Sequence, residues 1–146
     1  MAGFLLDTDR SPAQLIIRIA LGAVIFPHGC QKVLGLFGGP GFGRTLEIFS
    51  GMGFPAWSTA LLMLTETVGA LLLMVGFLTR LWAAAIGTAI TICMFMNHVQ
   101  HGFFMNWYGQ QKGEGFEFHI LVLGICLALL IKGGGALSVD RHLAGA

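Results

Sequence analysis

One long apolar stretch decides the fold: residues 56–78 read AWSTALLMLTETVGALLLMVGFL, with a single charged residue, Glu66, at the centre. A membrane hydrocarbon core about 30 Å thick is crossed by about 20 helical residues. Backbone amides and carbonyls inside lipid must pair within their own segment, which a helix achieves and an open strand does not. The stretch therefore predicts a transmembrane helix.

Three further stretches have the length and apolar character of membrane spans. They cover residues of about 13–36, 81–101 and 117–137. The second and third spans are joined by little more than Thr79-Arg80, which predicts a tight helical hairpin. We therefore predict an all-α integral membrane protein, a four-transmembrane-helix bundle, with a single domain over residues 1–146.

The composition favours a protein that lives in lipid. Of 146 residues, 55% are hydrophobic and 10% are charged, against roughly 25% charged in soluble domains. The mean hydropathy is +0.80. A net charge of +1 shows no strong basic bias, which argues against an extended nucleic-acid surface. The three scattered cysteines form no C-x-x-C pair, so we interpret them as structural: Cys30, Cys93 and Cys126.

The distribution of basic residues predicts the orientation. Four spans place both termini on one side, and we expect the N-terminal segment to stay as the first span rather than to be cleaved as a signal peptide. The terminal side carries Arg10, Arg80, Lys132 and Arg141, and the other side carries Lys32, Arg44 and Lys112. This bias favours both termini in the cytoplasm.

The two longer loops contain candidate membrane-surface elements. Residues 44–52, in the first extracytoplasmic loop, predict a short interfacial helix. The loop of residues 103–115 carries Trp107 and Tyr108, a pair typical of the aromatic anchors at membrane surfaces.

Glu66 is the most informative polar residue, because a carboxylate near the bilayer midplane must be neutral, paired or in contact with water. It either serves packing, through a hydrogen bond to a neighbouring helix, or handles protons or a ligand. From the rise of 1.5 Å per residue, His28 and Arg18 of the first span are the expected partners, with His28 nearer. Lys32 shares a helix face with His28 at i, i+4 spacing.

Polar side chains also gather at one end of the predicted bundle, where antiparallel spans bring His98, His101, Glu117 and His119 together with His28 and Lys32. Three interpretations compete. A polar-headed lipophile such as a quinone would use these donors in front of an apolar slot. A metal or haem would use His98, His101 and His119, although no H-x-x-x-H or H-E-x-x-H motif is present. Otherwise, the histidines are interfacial and bond to loops.

Two blocks and a tail form a wider pattern across residues 15–141. The blocks read Arg18-x-x-x-Gly22-x-x-x-Phe26-x-His28-Gly29-x-x-Lys32 and Glu66-x-x-Gly69 running to Gly76-x-x-Thr79-Arg80. After them come His101-Gly102-Phe103-Phe104, Glu117, and Gly133-Gly134 running to Leu137-Ser138-Val139-Asp140-Arg141. The pattern resembles the DoxX family, the DoxX/DoxD-like small bacterial membrane proteins.

The resemblance implies a multi-pass protein of the bacterial inner (cytoplasmic) membrane, with four helices, cytoplasmic termini and a link to quinone-dependent redox systems. The family's polar positions fall on Arg18, His28, Lys32, Glu66 and Glu117. We therefore expect a membrane subunit of a quinone-linked redox system in which Glu66 and His28 handle protons. The residues expected to bind the quinone or quinol are Arg18, Lys32, His98, His101, Trp107, Glu117 and His119.

Partners follow from what the chain lacks. It carries no flavin, haem or dithiol motif of its own, so an oxidoreductase role requires a partner redox protein or larger membrane complex as the electron source. Besides the lipid bilayer, a second copy of the chain is a candidate partner. The alternative function is a non-catalytic structural or assembly subunit of a larger membrane complex, and the third is metal or haem binding at the histidines.

Overall fold

The computed structural model describes residues 5–145, and this part of the chain is helical without any strand. We number six helices: α1 (Ala13–Leu34), α2 (Gly41–Gly51), α3 (Ala56–Val75), α4 (Thr79–His101), α5 (Glu117–Lys132) and α6 (Val139–Leu143). The prediction of an all-α chain is confirmed. A short 3₁₀ turn, Leu36–Gly38, leads from α1 towards α2.

Three of the predicted spans are long and apolar enough to cross a membrane. They are α1, α3 and α4, with 22, 20 and 23 residues. The fourth, α5, has 16 residues and ends at Lys132, five residues before the predicted end at 137. It ends there because Gly133 takes a positive φ of 72°, and the glycines that follow turn the chain towards α6.

The predicted helix in the loop after α1 is present as α2. The Thr45 hydroxyl is buried, and its single O–H is shared between the carbonyl oxygens of Gly41 (2.7 Å) and Lys32 (3.0 Å). The second bond ties α2 to the end of α1. Phe42 of α2 and Met52, which follows α2, are about half exposed, and an interfacial position for this helix stays a prediction.

The core is formed where the four longer helices face one another. Its buried members come from all four: Leu21 and Ile25, Ala70 and Leu73, Ala83 and Ile86, and Val122, Cys126 and Leu129. Large apolar side chains elsewhere point outward, including Ile16, Trp57, Phe95 and Leu121. Extensive apolar exposure is unfavourable in water but suits a surface in contact with acyl chains.

At Gly29 the backbones of α1 and α3 come into close contact. A Cβ atom placed at this glycine would lie 2.5 Å from the Glu66 carbonyl oxygen and 2.6 Å from its carbonyl carbon. No side chain fits there without separating the helices. Gly29 therefore fixes how near α1 approaches the centre of α3.

A buried carboxylate lies at the end of the bundle where the chain turns from α3 into α4. Asp140 is 1% exposed. Its two oxygens accept hydrogen bonds from the backbone amides of Leu78 (2.6 Å) and Thr79 (2.8 Å). These amides begin α4, where helical donors lack partners of their own and a negative charge is favourable. The C-terminal segment thus caps the α3–α4 hairpin.

Arg18 belongs to this same end of the bundle and not to the surroundings of Glu66. Its guanidinium is 1% exposed and donates to the carbonyl oxygens of Met74 and Leu137. One side chain of α1 therefore holds both the end of α3 and the segment before α6. The sequence placed Arg18 within reach of Glu66, but its hydrogen bonds to Met74 and Leu137 hold it at this end of the bundle.

The segment before α1 is fastened to the end of α5. The Asp9 amide donates to the Lys132 carbonyl (2.9 Å), and the Lys132 ammonium lies 3.1 Å from the Asp9 carboxylate. The hydrogen bond from Lys132 lowers the pKa of Asp9 below its ordinary value, helped by the Ser11 backbone amide. Ionised Asp9 therefore persists at pH values where a free carboxyl begins to protonate.

Because α1 and α3 are in close contact at Gly29, adding one methyl group there should destabilise the protein more than adding one elsewhere. Gly29→Ala should lower the free energy of unfolding by about 1–3 kcal/mol, the usual cost of overpacking. Gly124→Ala is the matched control, because a Cβ there meets open space within α5. Thermal unfolding of both purified variants in one detergent measures the effect, and equal stability would contradict this account of the α1–α3 contact.

The Asp140 cap predicts a second stability difference. Asp140→Ala leaves two amides without their acceptor, which costs about 1–3 kcal/mol for each buried unpaired group. Glu47→Ala serves as the control, since its ion pair with Arg44 is exposed, with side chains 67% and 66% accessible. We expect Asp140→Ala to unfold at markedly lower temperature while Glu47→Ala matches the parent chain; similar melting of all three would exclude the cap as a stabilising element.

Candidate functional site

Glu66 is ion-paired inside the bundle. Its Oε2 atom lies 2.6 Å from the Lys32 Nζ atom, and the two side chains are 13% and 22% exposed. Glu66 is halfway along α3, and Lys32 is in the last turn of α1. A lysine and a carboxylate thus neutralise each other within helices of membrane-spanning length, which is how such charges are tolerated there.

The partner of Glu66 is Lys32, whereas the sequence analysis favoured His28. Gly29 contacts the Glu66 backbone, and Lys32 lies three residues further along α1, on the same helix face. His28 is next to Gly29 in sequence, so it points about 100° away around the helix. Its side chain is exposed. A proton-handling role for His28 stays a prediction that this geometry does not explain.

The helix is widened where Glu66 occurs. Residues Thr65–Gly69 form a π-helical turn in the middle of α3. Such turns are rare and frequently mark functional sites. A second π-helical turn, Met94–His98, interrupts α4 near its end. Both irregular turns therefore lie on residues that carry the polar chemistry.

The second π-helical turn brings two histidines into contact. The rings of His98 and His119 have their centroids 4.1 Å apart. His119 is 5% exposed. The thiol of Cys93 joins them: one ligand atom from each of Cys93, His98 and His119 lies within 4.8 Å of the other two. Antiparallel α4 and α5 thus bring the two histidines together, as the sequence predicted, and add a cysteine.

The group of Cys93, His98 and His119 lies near the Lys32–Glu66 ion pair. The Cys93 thiol lies within electrostatic range of both Lys32 and Glu66. We call the five residues Lys32, Glu66, Cys93, His98 and His119 the polar cluster. It combines an ammonium donor, a carboxylate, a thiol and two imidazoles, which are groups that can hold a polar head group, transfer protons or bind a metal.

Glu117 and Trp107 are brought together outside the polar cluster. The Glu117 carboxylate accepts from the Met105 amide (3.0 Å) and from the Trp107 indole N–H (3.3 Å). The Glu117 amide donates to the Phe103 carbonyl (2.9 Å). Glu117 therefore organises the loop before α5. Trp107 is 79% exposed, as suits an anchor at a membrane surface.

His101 also lies apart from the other histidines. Its ring packs against Gly113, where an added Cβ would come 2.5 Å from ring atoms. Among the described residues, the group of metal-ligand side chains contains Cys93 in the place where the sequence predicted His101. Cys93 was missed because a cysteine five residues before a histidine faces elsewhere on a regular α-helix.

The family follows from these residues and from comparison with known proteins. The sequence model of the DoxX family matches residues 13–99. The chain belongs to the DoxX family. The match spans α1 to nearly the end of α4 and so contains Lys32, Glu66, Cys93 and His98, while α5 with His119 lies beyond it. The resemblance drawn from the sequence blocks is confirmed.

A curated relative agrees with this assignment. The chain is 29% identical over 129 residues to the inner membrane protein YqjF of Escherichia coli (strain K12), covering 88% of this chain and 90% of the relative. No solved structure matches the chain. Together with the three helices of membrane-spanning length, the relative confirms the predicted localisation of this DoxX protein, a multi-pass protein of the bacterial inner membrane.

The buried ion pair predicts non-additive effects of substitution. Lys32→Met leaves the Glu66 carboxylate unpaired and should cost on the order of 3 kcal/mol of stability, as for other broken buried pairs. Adding Glu66→Leu removes that lone charge, so the double variant should recover a large part of the loss. A double-mutant cycle by thermal unfolding measures the coupling, and strictly additive effects would mean that the two charges do not stabilise each other.

Proposed function

We propose that this DoxX protein is a membrane subunit of a quinone-linked redox system, and that the polar cluster binds the head group of a quinone or quinol. The observation that carries the proposal is the Lys32–Glu66 ion pair, 2.6 Å long and placed on a π-helical turn in the middle of α3. A buried charge pair contributes little net stability compared with apolar side chains, so its presence favours a role beyond packing.

The chemistry of the cluster suits a quinone. The Lys32 ammonium can donate to a quinone carbonyl oxygen, while Glu66 and the histidines can exchange protons with it. Reduction of a quinone to a quinol adds two electrons and two protons. The protons would pass through Glu66 and the imidazoles, and the electrons would come from a partner subunit that carries its own redox group.

The proposed topology has four spans. The helix α5 is a fourth span, although it has 16 residues, and both termini face the cytoplasm. Arg10, Arg80, Lys132 and Arg141 then lie at the cytoplasmic side, in agreement with the positive-inside rule. The polar cluster lies towards the opposite, periplasmic side, where Phe104, Trp107 and Tyr108 are strongly exposed and suit the membrane interface.

Quinone retention tests the proposed function. Protein purified in mild detergent is extracted with organic solvent, and quinones are quantified per chain by chromatography and mass spectrometry. Glu66→Gln or Lys32→Met should lower retention by roughly 10–100-fold, because a hydrogen bond to a charged group contributes about 1.5–3 kcal/mol. His28→Ala tests the proton role drawn from the sequence.

The control is Glu47→Gln, which neutralises an exposed acid of α2 away from the cluster. The control and the parent chain should retain equal quinone. If Glu66→Gln and Lys32→Met retain as much quinone as the parent, the cluster is not a head-group site. Co-purification of a stable partner complex with unchanged turnover in Glu66→Gln would then favour the assembly-subunit alternative.

A further inference from the structure

The group of Cys93, His98 and His119 has the composition of a metal site. One ligand atom from each side chain lies within 4.8 Å of the other two. A tetrahedral zinc shell, with bonds of about 2.0 Å to nitrogen and 2.3 Å to sulfur, places neighbouring ligand atoms about 3.3–3.6 Å apart. Each pair of ligand atoms therefore needs to approach by at most about 1.5 Å to enter such a shell.

The π-helical turn is what makes this geometry accessible. Cys93 and His98 are five residues apart, which on a regular α-helix separates them by about 140° around the axis. A π-helical turn pairs residues five apart along its hydrogen bonds and so brings them towards one face. The turn at Met94–His98 therefore aligns the Cys93 thiol with the His98 imidazole, opposite His119 of α5.

The protonation of His98 already matches that of a metal ligand. Its Nδ1 atom lies 2.9 Å from the Glu114 carbonyl oxygen, which can only accept a hydrogen bond. Nδ1 therefore carries a proton, and in the neutral imidazole this leaves the Nε2 lone pair for a metal. Metal-binding histidines commonly donate their second ring N–H to a carbonyl in this way, which fixes both tautomer and orientation.

His119 and Cys93 add two independent observations. His119 is only 5% exposed, and its Nδ1 atom has no hydrogen-bond partner among residues 5–145. Buried polar atoms are normally satisfied by protein, water or an ion. The Asn97 amide lies 4.0 Å from the Cys93 sulfur, where it can donate a weak hydrogen bond to a thiolate.

We propose that Cys93, His98 and His119 bind a zinc ion, with the fourth coordination position open to water or a small ligand. One thiolate and two imidazoles suit zinc and other late first-row metals, whereas magnesium and calcium prefer oxygen ligands. Three protein ligands with an open position are characteristic of catalytic rather than structural zinc sites. Zinc coordination would occupy both imidazoles, so in the zinc-bound protein the quinone protons would pass through Glu66 alone. Zinc binding itself does not require quinone.

Metal content and cobalt spectroscopy test the proposal. The protein is purified through a tag without histidines, stripped with chelator, loaded with Zn²⁺ or Co²⁺ and desalted. The parent chain should hold one equivalent of zinc, and its cobalt form should show a thiolate-to-cobalt charge-transfer band. Cys93→Ser should abolish that band, and His119→Gln should weaken zinc affinity by more than tenfold, since even outer-shell partners contribute 10–100-fold.

Two variants serve as matched controls: Cys126→Ser removes a buried thiol of the core, and His101→Gln removes the nearby histidine outside the group. Both should bind zinc and cobalt as the parent does. Protection of the Cys93 thiol against alkylation by added Zn²⁺, mapped by mass spectrometry in the parent chain, needs no variant to fold. Zinc that neither binds at one equivalent nor protects Cys93, or a cobalt band that survives Cys93→Ser, would overturn the proposal.

Discussion

The structure depends on the pair of hydrogen bonds by which Asp140 caps α4. This carboxylate comes from the last helix and takes the amides of Leu78 and Thr79, at the turn between α3 and α4. Arg18 of α1 reaches the same region through the carbonyls of Met74 and Leu137. Helices from both ends of the chain are therefore joined at one end of the bundle. In lipid, where water supplies no substitute partners, such a closure fixes the relative positions of the spans.

The polar cluster lies towards the end of the bundle that Asp140 does not cap. At this end a long loop links α4 to α5. Glu117 orders this loop through Met105 and Trp107 without entering the cluster. One end thus provides rigidity, and the other gathers side chains with lone pairs, protons and charge. Functional groups held on helices by a rigid scaffold keep a more reproducible geometry than groups on free loops.

The sequence predicted the helices well because membrane thickness and backbone pairing leave few alternatives. Residues 56–78 alone established the class of fold. The tight hairpin is present, but its turn is formed by residues 76–78, and Thr79 and Arg80, the predicted connection, already belong to α4. The end of α5 was predicted five residues late, because apolar Ala136 and Leu137 extend the hydrophobic pattern beyond the glycines that end the helix. Long apolar periodicity determines where a helix exists more firmly than where it ends.

The site was predicted less completely, for reasons of helix rotation. Glu66 was predicted near the bilayer midplane, and Lys32, His98 and His119 were predicted to gather at one end of the bundle. The contacts among them depend on which face of α1 packs against α3. Because Gly29 lies on that face, the partner of Glu66 is Lys32 and not His28. Cys93 enters the cluster through a π-helical turn, which changes the residues per turn locally. No composition or spacing rule applied to the sequence reveals such a turn, so a cysteine in an apolar run looked like ordinary packing.

The shortness of α5 has a consequence for the surrounding lipid. Sixteen residues rise about 24 Å, several ångströms less than a typical hydrocarbon core. In the proposed four-span topology, the bilayer beside α5 thins or its headgroups dip inward to meet the helix ends. In that topology, hydrophobic mismatch would bring interfacial water close to the first turn of α5, which carries His119. The thickness of the surrounding membrane would then influence how readily ions and protons reach this side chain.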